Sequence, residues 1–313
     1  MINNPFYIAL SITGLFTIAF FYLSSQGLIQ SNKEAYLIGE ASRWCERVSD
    51  GWFREPINTL SNFGFVVTGL TMFWIISNEK KSEHNLFIGV TGITLIYATA
   101  AVYLGPGSML MHATNTEWGG WADNLSMIMY IVVPWLYNIS LMAKWSIKRF
   151  IATYFIIILF YAVLRWFFGW GLGIGFNLFG TSIALWFISE ALYRYWSLSF
   201  RFLSGFLGFI VMFLFGTSPS EIINNASDYW WTLLFWLPGL MAKNKPEGRR
   251  SIIWFILGMT SYFLAFFVWT TGVPDHENCN PDSLIQAHGI WHLLTALATV
   301  LFFIHYRSEK KLI

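Results

Sequence analysis

The chain is short of charge, short of cysteine and without linkers. Asp, Glu, Lys and Arg make up only 12% of its 313 residues, against about 25% in ordinary soluble domains. Two cysteines, Cys45 and Cys279, exclude a four-thiolate zinc cluster and an iron–sulfur centre held by four cysteines. The net charge is +2 and no basic stripe with interleaved aromatics occurs, so nucleic acid is not an expected partner. No long Pro/Gly/Ser tract or low-complexity segment divides the sequence, which reads as a single domain over 1–313.

What remains is apolar. Hydrophobic residues make up 56% and aromatic residues 19%. Runs near the length that crosses a bilayer recur at about 5–24, 55–77, 86–112, 123–142, 150–168, 173–193, 202–217, 227–242, 252–272 and 284–305. The fold class is therefore an all-α, polytopic transmembrane helix bundle. Residues 5–24 have no basic leader and exceed a signal core in length, so they read as a retained anchor helix within residues 1–30. The segments 202–217 and 227–242 are short and read as a hairpin inserted near 195–250.

Alternating the spans from an inside N-terminus puts most basic residues on one side. Lys80, Lys81, Lys144, Lys148, Arg149, Arg194, Arg201, Lys243, Lys245, Arg249, Arg250, Arg307, Lys310 and Lys311 fall inside. Lys33, Arg43, Arg47 and Arg54 fall outside, and Arg165 lies near an outer span end. That is the bias of cytoplasmic loops toward Lys and Arg. It places both termini inside, and the short inner loops suit a bacterial inner membrane.

The same alternation collects chemistry on the outer side. Ser108 and His112, four residues apart, share one face at the end of a span. Asp123 follows a Gly119-Gly120 turn and opens the next span, while His288 and His292 start the last. Two histidines at i and i+4 can hold one metal from a helix face, and a third from elsewhere completes a three-ligand zinc site with a free position. Such an ion activates water. A nearby carboxylate takes its proton, and a hydroxyl holds developing charge. Ionisable groups inside a span mark function by default. Asn58, Ser61 and Asn62 form a polar face at i, i+3 and i+4, suited either to hydrogen bonds with a metal-binding histidine or Asp123, or to helix–helix bonding. His84, His276 and His305 fall at span edges or in a loop and carry no expected role.

Three blocks resemble the alkaline ceramidases and the wider superfamily of seven-helix membrane hydrolases that includes the adiponectin-receptor-like proteins. They are Trp44-Cys-Glu46 followed by Glu55-Pro-Ile-Asn58-Thr-Leu-Ser61-Asn62; Gly107-Ser108 with His112 and Asp123; and His288-x-x-x-His292. The resemblance covers roughly 40–142 and 250–305. It implies a seven-helix hydrolase core, to which the N-terminal helix and the hairpin are additions. It further implies zinc on His112, His288 and His292, assistance by Ser108, and proton transfer by Asp123 during hydrolysis of ceramide or a related N-acyl lipid drawn from the bilayer. A calcium site in the first block is also implied, on Trp44, Glu46 and Glu55 with Asp50 as a further oxygen donor. Arg43 stands where the family has an aspartate, and Glu46 and Glu55 are two residues closer than in the family. The resemblance also implies a disulfide between Cys45 and Cys279, both in outer segments.

Two rival functions share these residues. A haem-binding electron carrier would use one histidine from each of two helices, leaving Asp123 without a role. A receptor or transporter would keep the zinc as a structural ion.

Overall fold

Helices start where the sequence supplies side-chain oxygens for unpaired first-turn amides. The computed structural model describes residues 4–30 and 37–311; Lys33 lies outside them. The chain is an all-α bundle of α1 (Pro5–Ser25), α2 (Pro56–Ser61), α3 (Phe63–Ser77), α4 (Gly92–Thr114), α5 (Glu117–Met142), α6 (Ile147–Phe168), α7 (Leu178–Tyr195), α8 (Leu198–Leu203), α9 (Phe206–Leu214), α10 (Pro219–Asn224), a 3-10 turn at Trp230–Trp236 leading into α11 (Leu237–Met241), α12 (Ile252–Thr270) and α13 (Ala287–Arg307). Asn4, Thr91 and Ser146 accept from the amides of Phe6, Thr94 and Arg149 and so start α1, α4 and α6.

Among the described residues seven helices are long and apolar enough to cross a membrane: α1, α2 with α3 as Pro56–Ser77, α4, α5, α6, α12 and α13. The protein is an integral, multi-pass membrane protein. The expected hairpin at 202–217 and 227–242 is not a pair of spans. Ser204-Gly205 separates α8 from α9, and Ser218-Pro219 starts α10. The apolar composition there is carried by short pieces, with Trp230–Met241 the longest continuous one. The helix over the span expected at 173–193, α7, starts later, at Leu178, because Gly169, Leu172, Gly173 and Gly175 all take positive φ and form a turn, and it is not among those seven.

Two compact units can be separated: Met1–Ser126 with Arg250–Lys310, and Met127–Arg249 with Lys311–Ile313. In the second, α7 packs on α9, the 3-10 turn and α11, and Asn138 Nδ2 donates to Glu190 Oε2 at 2.9 Å. The first carries every candidate functional residue. There α12 lies along α13, α3 along α4, α13 against α2 and α3, and α1 against α3.

Two features hold the front of this unit. Cys45 and Cys279 are joined by a disulfide across a Cα separation of 5.6 Å. Beside it the Arg47 amide donates to Pro281 O at 3.0 Å and its guanidinium grips Asp282 at 2.5 and 2.6 Å. That hydrogen bonding holds the exposed Asp282 carboxyl below its ordinary range. Behind, Phe20 of α1 stacks on Phe53 with centroids 5.3 Å apart and planes at 8°, and Met109 and Ala113 of α4 complete the cluster.

Candidate metal centre

Close helix approach places Ser108 and His112. A Cβ on Gly107 would lie 2.6 Å from Ser126 Cβ and 2.8 Å from Ala122 O, so only glycine lets α4 reach α5 at this level. The helix α4 ends on Asn115, left-handed at φ 49°, whose amide returns to Met111 O. Thr116 then caps α5 by accepting from Gly119 N at 3.1 Å. The helix therefore begins at Glu117, and Gly119-Gly120, expected as the turn, lies within it. Asp123 sits one turn further on, half-buried, and its carboxylate is hydrogen-bonded to Ser108.

The end of α4 would leave carbonyls unpaired inside the unit. Arg54 N and Glu55 N donate to two of them, Ala113 O and His112 O, at 3.1 and 3.0 Å. That pairing lays Glu55 beside His112. Glu46, from the segment before α2, accepts from Ile57 N at 2.6 Å and Asn58 N at 2.8 Å and so covers the first turn of that helix. Burial pushes the Glu46 carboxyl up, against the opposing pull of the two amides.

The imidazoles of His112, His288 and His292 are all buried, and each offers one ligand nitrogen within 4.8 Å of the others. Their hydrogen bonds set the tautomers. His112 Nδ1 meets Glu55 Oε2 at 2.7 Å, an acceptor, so this nitrogen carries the proton. His292 Nδ1 meets Ser61 Oγ at 2.8 Å, and the Ser61 hydroxyl already donates to Asn58 O at 3.0 Å. Ser61 therefore accepts, and His292 Nδ1 also carries its proton. Both rings turn an Nε2 lone pair inward. His288 Nε2 lies 3.1 Å from His112 Nε2, and Ser108 Oγ lies 3.5 Å from His292 Nε2. Two inward lone pairs beside a third imidazole nitrogen suit a cation held between them. As a donor set they fit zinc, which takes three histidines and leaves a fourth position free.

A family model described as Ceramidase matches residues 41–310. The chain belongs to the ceramidase family. Membership implies a hydrolase acting on a lipid amide. A comparison with curated proteins finds no match. The matched region contains the three histidines, Ser108, Asp123 and Glu55, whereas α1 precedes it.

The remaining candidate residues are placed as follows. Asn58 Nδ2 donates to Glu55 Oε2 at 2.9 Å, so it holds the carboxylate that holds His112. Asn62, at the break between α2 and α3, donates to Asn58 O at 2.7 Å and touches no histidine through that bond. Trp44 stacks on the His288 ring, centroids 4.4 Å apart and planes at 12°. Asp50 is exposed and pairs with Arg54 at 3.3 Å. Among the described residues the three histidines are the group whose ligand atoms converge. Trp44, Glu46, Asp50 and Glu55 are not gathered in that way; a helix end, Arg54 and His112 hold the three carboxylates. His305 is buried, its Nδ1 3.0 Å from Ser251 O, while His84 is exposed and His276 Nδ1 accepts from Asn278 N at 3.1 Å.

Glu55, which the resemblance implies as a calcium ligand, also lies on His112, a contact that sequence reasoning missed. No periodicity links the two positions, because the link is a loop amide capping a distant helix end.

Proposed function

We propose that this family member is a zinc-dependent hydrolase that cleaves the amide bond of ceramide or a related N-acyl lipid. The observation that supports it most is the buried convergence of three imidazole nitrogens with a serine–aspartate pair alongside. His112, His288 and His292 would hold the zinc. What such an ion supplies when bound is Lewis acidity toward a carbonyl and toward water. Asp123 takes the proton that the attacking water loses and delivers it to the amide nitrogen as the C–N bond breaks, releasing a fatty acid and an amine. Ser108 holds the Asp123 carboxylate in position. Glu55 and Ser61 keep two imidazoles in the tautomer that presents Nε2.

The rivals fit less well. Haem needs two imidazoles on opposite faces of a porphyrin, and three rings packed against one another leave no plane for it. A purely structural zinc leaves the Ser108–Asp123 pair unused. The charge pattern of the loops supports termini on the inner side and a site toward the outer side of a bacterial inner membrane.

Metal analysis of the purified protein with a panel of N-acyl lipids tests this reading. The expected result is one zinc per chain and release of free amine from at least one member. A metal-free protein or a haem absorption band would remove it. Glu55→Gln takes away the anionic acceptor of His112 and should lower zinc affinity about 10–100-fold. Chelator competition measures that change, and an unaltered affinity would make Glu55 a packing residue.

A further inference from the structure

The two histidines facing His288 each give their outer nitrogen to a protein acceptor, Glu55 or Ser61. His288 does not. Its Nε2 lies in the cluster, 3.1 Å from His112 Nε2, and its Nδ1 is buried without a hydrogen-bond partner among the described residues. With Nε2 given to the zinc of the reading above, the proton of a neutral imidazole sits on Nδ1. A donor is thus buried with nothing to accept it, a condition that calls for an explanation in any native structure.

The side chains stacked at this edge cannot supply the acceptor. Trp44 covers the ring face, Trp269 packs on Trp44 at 5.4 Å, and the Arg43 guanidinium lies 4.9 Å over the same indole. Indole and guanidinium side chains are donors only. The residue is 6% exposed, so bulk solvent does not reach it freely. Trp44 itself is half-buried and adjoins the exposed Arg43, so this edge of the cluster leads outward.

We propose that the Nδ1–H of His288, beside Trp44, is a binding site for a hydrogen-bond-accepting oxygen in the polar head of the lipid amide. The head of an N-acyl amino alcohol offers such an oxygen within a few bonds of the scissile amide, its hydroxyl; the carbonyl is the group that the zinc of the reading above would polarise on the other side of the ring. A site that binds a lipid oxygen through a buried donor rejects the analogue lacking it, because the donor is then left unpaired. Stacking on Trp44, instead of a hydrogen bond to a protein acceptor, fixes the ring and keeps this nitrogen free. The inference rests on the amide-hydrolase reading above.

The test replaces His288→Nδ1-methylhistidine, which keeps the Nε2 lone pair and removes only the Nδ1 proton. Zinc content should be unchanged. KM for an N-acyl amino alcohol should rise about tenfold, the scale of one hydrogen bond to a buried partner, with kcat little altered. A matched deoxy lipid decides the source. If it is unaffected by the methyl group, the hydroxyl is the acceptor; an equal loss with the deoxy lipid overturns the proposal. Unchanged KM for both lipids with zinc retained overturns the proposal. Absence of zinc or of amide cleavage in the unmodified protein instead strikes the function it rests on. Should the methyl group prevent folding, the zinc-loaded unmodified protein labelled with 15N-histidine supplies a second measurement. The His288 Nδ1–H resonance should move downfield on adding the lipid, and a resonance that stays put while the lipid binds, or one already shifted by a trapped water, overturns the inference.

Discussion

Asp123→Asn should cut lipid-amide cleavage by about 10²–10⁴-fold while the protein keeps its zinc. The side chain is isosteric, so the contact to Ser108 survives in altered polarity and α5 has no reason to move. What is lost is a carboxylate able to take a proton and return it. Both transfers fail together, so kcat should fall with KM near its original value. The comparison with His292→Ala separates chemistry from metal binding, since that change removes an imidazole of the cluster and should lower zinc content as well as turnover. Turnover at the wild-type rate in Asp123→Asn would exclude the residue from proton transfer.

The second large effect is on stability. Cys45→Ser with Cys279→Ser opens a covalent loop spanning a sequence separation of 234 residues. The loss should be on the order of 2–5 kcal/mol by chain entropy, and nearer the lower figure because inserted helices confine the chain even without the bond. The disulfide lies between the segment that delivers Glu46 and Glu55 and the loop that leads into His288 and His292. Zinc affinity should therefore fall along with melting temperature, and the Arg47 grip on Asp282 should retain part of the arrangement. Melting in detergent with and without reductant reads the effect. No change in either quantity would mean that packing of α12 on α13 alone holds the loop.

Much of the site can be read from residue order because bilayer topology is a coarse ruler of depth. Ser108, His112, Asp123, His288 and His292 fall near span ends on one side when ten spans alternate from an inside N-terminus; the structure gathers the three histidines into one buried group, with Ser108 3.5 Å from His292 Nε2 and the half-buried Asp123 beside Ser108. Two kinds of feature escape such reading. Composition does not distinguish an apolar span from apolar pieces broken by Ser204-Gly205 and Ser218-Pro219, so 202–217 and 227–242 looked like helices that cross. Long-range backbone pairing leaves no periodic trace either, so the approach of Glu55 to His112 through capping of α4 was invisible. The start of α5 was misplaced for a local reason. Glycine pairs signal turns in most contexts, yet here Thr116 caps the helix ahead of Gly119 and Gly120. The stack of Trp44 on His288 joins positions 244 residues apart in number and has no sequence signature.

The unit that bears the histidines is left by the chain at Ser126 and rejoined at Arg250. Its two portions are stitched covalently at Cys45–Cys279. A single protease cut anywhere in the intervening 127–249 stretch would thus yield fragments that migrate as one species until reductant is added.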